Sequence, residues 1–301
     1  MSSPGIESRR VFSNIPADPG LVSAVLQTLA FVDELPAGAT GVLQFGGRGV
    51  ILLESRKICW AMTRQMRFRL TDILRHQSTP PLPRDAVEEV YRRCKETGKP
   101  IGEALVEGGL VSEDGLRAAL MKHIGEAVAQ LSQSAAAPDA FTSHARTGYD
   151  PKFSFSAAEL LAMFGTLDDP ARAVAAQVEL ATSMVPGSVG AAFARSSAAS
   201  GTQVIAVDRG CDLPVRDLHE LCNWAAGLFD VARTFDPEMR AARANWGAHG
   251  AVVTWRTKDV GYLGLCSSRA AAACLFSHIA ERGVRTSGVV LAARRVMDGD
   301  A

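Results

Sequence analysis

An eroded internal repeat constrains this sequence more than any other feature. The first copy opens with Arg69-Leu70-Thr71-Asp72-Ile73-Leu74 and the second with Pro100-Ile101-Gly102-Glu103-Ala104-Leu105. In the second copy, Gly108-Gly109 predicts the end of a short helix, and Ser112 predicts the N-cap of a longer one. A duplicated helical unit of this kind points to binding and not to catalysis.

Both copies lead into an amphipathic helix. In the second copy, residues recur at steps of three and four, the period of one helical face, at Leu116, Ala119, Leu120, His123, Ile124, Ala127 and Leu131. We expect that face to be buried. The first copy keeps this spacing with Val87, Val90, Tyr91 and Cys94. There, however, Thr71 replaces the glycine, and a proline-rich joint at 79–83 lengthens the connection.

Charge and hydropathy exclude two classes of partner. The chain has 32 basic and 32 acidic residues, so its formal net charge at pH 7 is zero. Because sequence-independent affinity for nucleic acid comes from clustered Lys and Arg, we expect no nucleic-acid partner. The apolar stretches are shorter than the roughly 20 residues that span a bilayer, and the N-terminus lacks the pattern of a signal peptide. We therefore expect no membrane insertion and a cytoplasmic location.

The residues of metal and nucleophilic chemistry form no motif. No two of the six cysteines stand at a two-residue gap, and none of the six histidines pairs at metal-ligand spacing. The glycine cluster at 46–49 joins two predicted strands, and the cluster at 187–190 lacks the lysine-serine or lysine-threonine ending of a phosphate loop. Both clusters are therefore predicted to be turns. We expect no enzyme, no cofactor and no metal.

The N-terminal half is predicted to be a helix followed by a β-meander. Prolines and a lack of periodicity predict a flexible lead-in over residues 1–19. A helix with one apolar face follows and is predicted to stop at Pro36-Ala37-Gly38. Strands are then predicted at 41–45, 50–53 and 58–61, and further returning strands at 141–143 and 152–155. The helical repeat pair is inserted at about 69–131.

The C-terminal part alternates strands and helices. A helix is predicted at 158–164, a linker at 165–169 and a second helix at 170–184. Beyond these, strands are predicted at 189–195, 203–208, 251–256 and 262–266, and helices at 216–234 and 269–282. Short hairpins alternating with helices predict an α+β fold, with an antiparallel sheet and flanking helices over residues 170–301.

The meander resembles a known bacterial domain. The elements that carry the resemblance are a helix, Thr40-Gly41-Val42-Leu43, the stretch from Gly47 to Glu54, and Arg56-Lys57-Ile58-Cys59-Trp60-Ala61. In this order they resemble the PATAN (PatA N-terminal) domain of bacterial signalling proteins. That resemblance covers residues 20–165. The family often carries an insert similar to the N-terminal domain of type II secretion and type IV pilus ATPases. The residues similar to that insert are Ile101, Gly102, Leu105, Gly109, Val111, Leu116 and Leu120.

The second resemblance implies a nucleotide site. In those ATPases the paired motif can bind cyclic di-GMP, with arginines facing phosphate and small residues letting the backbone approach. It implies that the candidate binding residues here are Arg69, Leu70, Ile101 and Gly102. This chain departs from the motif, because Pro100 stands where it has arginine and His123 where it has glutamine. The missing arginine removes a bidentate phosphate contact.

The C-terminal part resembles roadblock/dynein light-chain domains. The resemblance rests on the element order and on Pro186-Gly187-Ser188-Val189, a strand start that follows a helix. Such domains are small dimerising modules that dock onto or regulate Ras-like GTPases in bacteria. The resemblance therefore implies a homodimer and a protein partner, with a Ras-like GTPase as one candidate.

Together these features predict a non-enzymatic bacterial signalling or regulatory protein that acts through protein–protein interaction. A small GTPase or the motility and secretion machinery are the candidate partners. The alternative is a sensor of cyclic di-GMP, or of a related nucleotide, that uses Arg69 and the loop at 100–102 of the degenerate repeat pair.

Overall fold

The computed structural model has an α+β fold that divides into two compact units. It describes residues 19–66, 69–77, 82–133, 137–144, 149–165, 185–195, 202–208, 211–235, 237–238, 240–246, 250–257, 260–281 and 286–291. Gln27–Phe155 forms one unit, called the repeat unit below. The described residues before and after it form the other, called the sheet unit. Helix α1 (Pro19–Asp33) contains the boundary between the two.

The repeat unit begins with the predicted meander. Its strands are β1 (Gly41–Phe45), β2 (Gly49–Glu54), β3 (Lys57–Thr63) and β4 (Ala140–Ser143). They pair antiparallel in the order β3-β2-β1-β4, which confirms the meander and the first returning strand. Gly46 and Gly47 have φ angles of 51° and 69°. Because those angles suit a tight hairpin turn, the cluster at 46–49 is a turn, as predicted.

The repeat pair is helical, as predicted. Its four helices are α2 (Leu70–Gln77), α3 (Arg84–Thr97), α4 (Ile101–Glu107) and α5 (Glu113–Gln133). Helix α4 ends at Gly108, and Gly109 has a φ angle of 66°. The Ser112 hydroxyl accepts a hydrogen bond of 3.1 Å from the Gly115 amide, so it caps α5.

Helix α5 is buried on more than the predicted face. Arg117, Gly125, Val128 and Ala129 lie off the predicted stripe and are nevertheless buried. The reason is that α5 has neighbours on several sides: it packs on β2, β3, α2, α4 and the turn at Pro151–Phe153. The sequence pattern predicted one buried face of α5 and gave no sign of the contacts on its other sides.

The prediction of a second returning strand at 152–155 is wrong. Pro151–Phe153 forms a 3₁₀ turn instead, because the Asp150 side chain accepts a hydrogen bond from the Lys152 amide and proline favours the first helical turn. Only Phe155 reaches the sheet, through an isolated antiparallel bridge to Ile58. The Arg117 guanidinium lies 4.3 Å above the Phe155 ring.

The sheet unit has one six-stranded sheet in the part of the chain that the structure describes. Its elements are α6 (Ala157–Met163), β5 (Ser188–Arg195), β6 (Thr202–Val207), α7 (Val215–Phe235), β7 (Ala241–Trp246), β8 (Gly250–Thr257), β9 (Val260–Cys266), α8 (Arg269–Glu281) and β10 (Thr286–Leu291). The strand order is β10-β7-β8-β9-β5-β6, with β10 parallel to β7 and the other pairs antiparallel.

This architecture confirms the α+β class and adds two strands. The strands β7 and β10 have no counterpart among the elements predicted from the sequence. The helix predicted at 170–184 and the linker residues 166–169 lie outside the described residues, as does the lead-in at 1–19 apart from Pro19. Among the helices that the structure describes, none combines the length and apolar composition needed to cross a membrane.

Helix α6 packs on β6 through a close backbone approach. Ser156 and Glu159 form a capping box that starts α6. After the helix, a Cβ atom added at Gly165 would lie 1.9 Å from the Val204 carbonyl oxygen. A side chain at position 165 would therefore push the segment away from β6, which explains the glycine.

Candidate functional site

The repeat unit contains a cleft of about 1330 Å³ between strand β3 and the helices of the repeat pair. The four candidate residues from the sequence, Arg69, Leu70, Ile101 and Gly102, all line it. Helices α2, α3 and α5 and the segment 149–153 contribute the rest of the wall. The structure thus brings the two copies of the repeat to a single site.

Arg69 and Leu70 stand at the start of α2. The Arg69 amide donates to Asp72 Oδ2 over 3.1 Å, and the Asp72 amide donates back to the Arg69 carbonyl over 2.9 Å. These reciprocal bonds hold the backbone of Arg69 in place, while its side chain is exposed. Leu70 is buried and anchors the first turn of α2. Arg69 is therefore a cation carried on a well-defined helix start.

Ile101 and Gly102 form the first turn of α4. A Cβ atom added at Gly102 would lie 2.9 Å from Leu116 Cδ1 on α5. The glycine is therefore explained by close packing of α4 against α5. In the first copy, Thr71 also lines the cleft and is half-buried. Pro100, which stands where the motif has arginine, lines the cleft without offering a donor.

Basic side chains surround the cleft. The basic lining residues are Arg69, Arg75, Arg84, Arg92 and Lys95. Two of them are in ion pairs, since Arg84 Nε lies 2.7 Å from Glu88 Oε1 and Arg92 Nη1 lies 2.6 Å from Glu89 Oε2. Arg75 Nε, in contrast, is buried with no hydrogen-bond partner in the described part of the chain.

The acidic lining residues are largely engaged within the protein. Asp72 accepts the Arg69 amide, Glu88 pairs with Arg84, and Asp150 caps the 3₁₀ turn and lies 3.4 Å from Lys152 Nζ. Glu103 is the other acidic residue in the lining. Among the described residues, the lining has five basic and four acidic side chains, and this small excess of positive charge favours an anion over a cation.

Two site residues were not identified as such from the sequence. The rings of Trp60 on β3 and His123 on α5 lie with their centroids 4.5 Å apart at an angle of 38°. His123 is 4% exposed, and neither of its ring nitrogens has a hydrogen-bond partner in the described residues. Burial lowers the pKa of His123 to about 4, so the imidazole is neutral at pH 7.

A signal for these two residues was present in the sequence. His123 is the one strongly polar member of the apolar stripe of α5, and Trp60 lies within the last predicted strand of the meander. Only the fold shows that both face the same cleft. Tyr149 also lines it, and burial raises the pKa of its phenol, which therefore keeps its proton as a hydrogen-bond donor.

The lining includes two large exposed apolar side chains. Met62 is 49% exposed and Tyr91 is 51% exposed. Tyr91 shares the helical spacing of Val87 and Cys94, and of these three residues only Val87 and Cys94 are buried. Tyr91 is thus available to a ligand, with Lys95 Nζ 4.9 Å from its ring centre.

Several other titratable groups of the described residues are held inside the fold. Burial raises the pKa of Cys211 and of Cys266 to about 11, so both thiols stay protonated at pH 7. Asp208 accepts a hydrogen bond of 2.8 Å from the Gly190 amide and thereby serves the sheet. Within the described residues, no group of three His, Cys, Asp or Glu side chains has the arrangement of a metal site.

The arrangement is therefore suited to binding: basic groups for an anion, a neutral imidazole, and aromatic surfaces for a flat ring. Comparisons of the chain with protein-family models, with curated proteins and with solved structures found no match.

Proposed function

We propose that this chain is a non-enzymatic bacterial regulatory protein and that the cleft of the repeat unit is its receptor site for an anionic ligand with flat rings. The observation that carries the proposal is the convergence of Arg69, Leu70, Ile101 and Gly102 on one cleft. These residues come from both copies of the repeat. Each copy therefore contributes one side of the same binding site.

The size and chemistry of the cleft favour a cyclic dinucleotide. Small-molecule sites commonly measure about 300–1000 Å³, and this cleft, at about 1330 Å³, has room for more than a mononucleotide. Arg69 and Arg75 supply contacts for phosphate, since one guanidinium group can donate hydrogen bonds to two phosphate oxygens at once. Cyclic di-GMP carries two phosphates and two flat bases, and it is the ligand to test first.

Calorimetric titration of the full chain with cyclic di-GMP tests this proposal. We expect saturable binding to the wild type and a loss of about 10- to 100-fold in affinity for Arg69→Ala, because a charge-assisted hydrogen bond contributes about 1.5–3 kcal/mol. Arg216→Ala, on the exposed surface of α7, is the matched control and should bind as the wild type does. No heat at high micromolar ligand, or full affinity in Arg69→Ala, would contradict the proposal.

A second candidate function is interaction with a protein through the sheet unit. In the sheet unit, the apolar side chain of Val231 on α7 is 60% exposed, so α7 offers contact surface to a partner. Together with the roadblock resemblance, this supports a homodimer and a partner of the Ras-like GTPase class. Ligand binding in the cleft would then regulate that partner.

Sedimentation velocity of the full chain tests the dimer. We expect a monomer–dimer equilibrium whose average mass rises with protein concentration. Val231→Glu should leave the fold intact, because the side chain is exposed, and should shift the equilibrium towards monomer if α7 takes part. A strict monomer at the highest attainable concentration would remove the dimer from the proposal.

A further inference from the structure

We propose that Trp60 and His123 form the ring-recognition site of the cleft: a flat heterocycle of the ligand stacks on Trp60, and His123 hydrogen-bonds to the edge of that heterocycle. This inference rests on the proposed receptor function, because it places the ligand in the same cleft. It adds the chemical group that is recognised and the two side chains that recognise it.

The unsatisfied imidazole is the first argument. His123 is 4% exposed, and both of its ring nitrogens lack a hydrogen-bond partner in the described residues. Buried polar groups are nearly always paired, and an exception of this kind calls for an explanation. His123 lines the cleft although its ring nitrogens are covered, so a ligand that displaces the covering side chains can supply the missing partner.

The protonation state sets what His123 can recognise. A neutral imidazole has one N–H donor and one acceptor nitrogen, and its tautomer adapts to the group it meets. Burial keeps His123 neutral, with a pKa of about 4. It can therefore bond to a ring carbonyl or a ring N–H, both of which occur on nucleobase edges. A phosphate would instead favour a protonated histidine, which this environment opposes.

The aromatic neighbour is the second argument. Trp60 is half-buried and lines the cleft, so part of its indole remains open to a ligand. Its position is well defined, because Cys59 and Ala61 on either side are buried and Trp60 pairs with Leu52 across the hairpin. Base stacking on an aromatic side chain is a recurrent way of binding a nucleobase.

The basic side chains that would bind the phosphate lie elsewhere in the lining of the cleft. Arg75 on α2 has a buried Nε with no hydrogen-bond partner among the described residues, and Arg69 stands at the start of the same helix. One set of residues is thus suited to the phosphate and the Trp60–His123 pair to the ring. This division predicts that ring recognition and charge recognition can be separated by mutation.

The test is a fluorescence and calorimetric titration of the full chain with two probes, cyclic di-GMP and inorganic pyrophosphate. Cyclic di-GMP should quench tryptophan emission in the wild type and in Trp224→Phe, which alters a half-buried tryptophan of the sheet unit. The quench should be absent in Trp60→Phe. Pyrophosphate has charge and no ring, and it should bind weakly without changing the emission.

Two substitutions at position 123 separate recognition from packing. His123→Phe keeps a ring and removes the nitrogens, and it should lower the affinity for cyclic di-GMP at least tenfold without altering that for pyrophosphate. His123→Gln keeps a donor and an acceptor and should retain affinity within about threefold. Circular dichroism at pH 7 verifies that both variants are folded, and a purely structural histidine would not produce this pattern.

The outcomes distinguish the two proposals. Binding of cyclic di-GMP with an unchanged tryptophan emission, or with equal affinity in His123→Phe, overturns the ring-recognition site and leaves the receptor function standing. Failure of the wild type to bind either probe overturns the receptor function and this inference together.

Discussion

Replacing Phe155 by alanine is expected to lower the free energy of unfolding of the repeat unit by about 3–5 kcal/mol. Phe155 is fully buried, and its backbone joins the sheet at Ile58. Its ring also lies under the Arg117 guanidinium, whose Nη1 donates to the Ser154 carbonyl over 3.1 Å. The truncation therefore leaves a cavity and removes the ring that covers a buried cation.

Hydrogen exchange at the amides of β3 and α5 measures this loss within the repeat unit. Tyr91→Ala is the matched control, because Tyr91 is largely exposed and its truncation should change stability by no more than about 0.5 kcal/mol. If Phe155→Ala lost less than about 1 kcal/mol, the packing described around Arg117 would be contradicted.

Acidification is expected to destabilise the repeat unit through His123. The folded-state pKa of about 4 lies below the value of about 6.5 for an unfolded histidine. Between these two values the unfolded chain binds the proton first, so stability falls as the pH is lowered through this window and is unaffected by His123 above it. The loss reaches at most about 3 kcal/mol near pH 4.

The measurement is urea unfolding at a series of pH values between 4 and 7.5, compared between the wild type and His123→Gln. Carboxylates titrate in the same window, so the difference between the two proteins isolates the histidine. His76→Gln removes an exposed histidine and should keep the wild-type dependence. Parallel pH profiles for the wild type and His123→Gln would contradict a buried neutral imidazole.

The meander and the repeat helices were predictable because their determinants are local. Short apolar runs on either side of Gly46-Gly47 predict a hairpin, and the positive φ angles of both glycines explain why glycine occupies these two positions. Ser112 and Gly108 marked the ends of α5 and α4 for the same reason, since caps satisfy backbone groups within a few residues.

Strand β7 escaped prediction because its own residues do not favour a strand. Ala241, Ala242 and Ala244 are poor strand formers, and the segment becomes a strand through pairing with β8 on one side and β10 on the other. At 152–155 the opposite happened: an apparent strand became a turn, since Asp150 and Pro151 start a 3₁₀ helix.

The residues of the candidate site were likewise only partly predictable from the sequence. Arg69, Leu70, Ile101 and Gly102 could be selected from the sequence because the repeat marks them. Trp60 and His123 could not be paired, because a strand and a helix far apart in the chain bring their rings together. The exposure of Tyr91 likewise depends on which face of α3 meets the rest of the repeat unit.

The sequence by itself determined the α+β class, the turns, the caps and the duplicated helices, because these follow from backbone geometry and side-chain periodicity over a few residues. Only the tertiary structure decided that the two copies of the repeat line one cleft, that α5 is buried on several sides and that a neutral histidine faces a tryptophan. Those features depend on contacts between distant segments, whose distances no local pattern encodes.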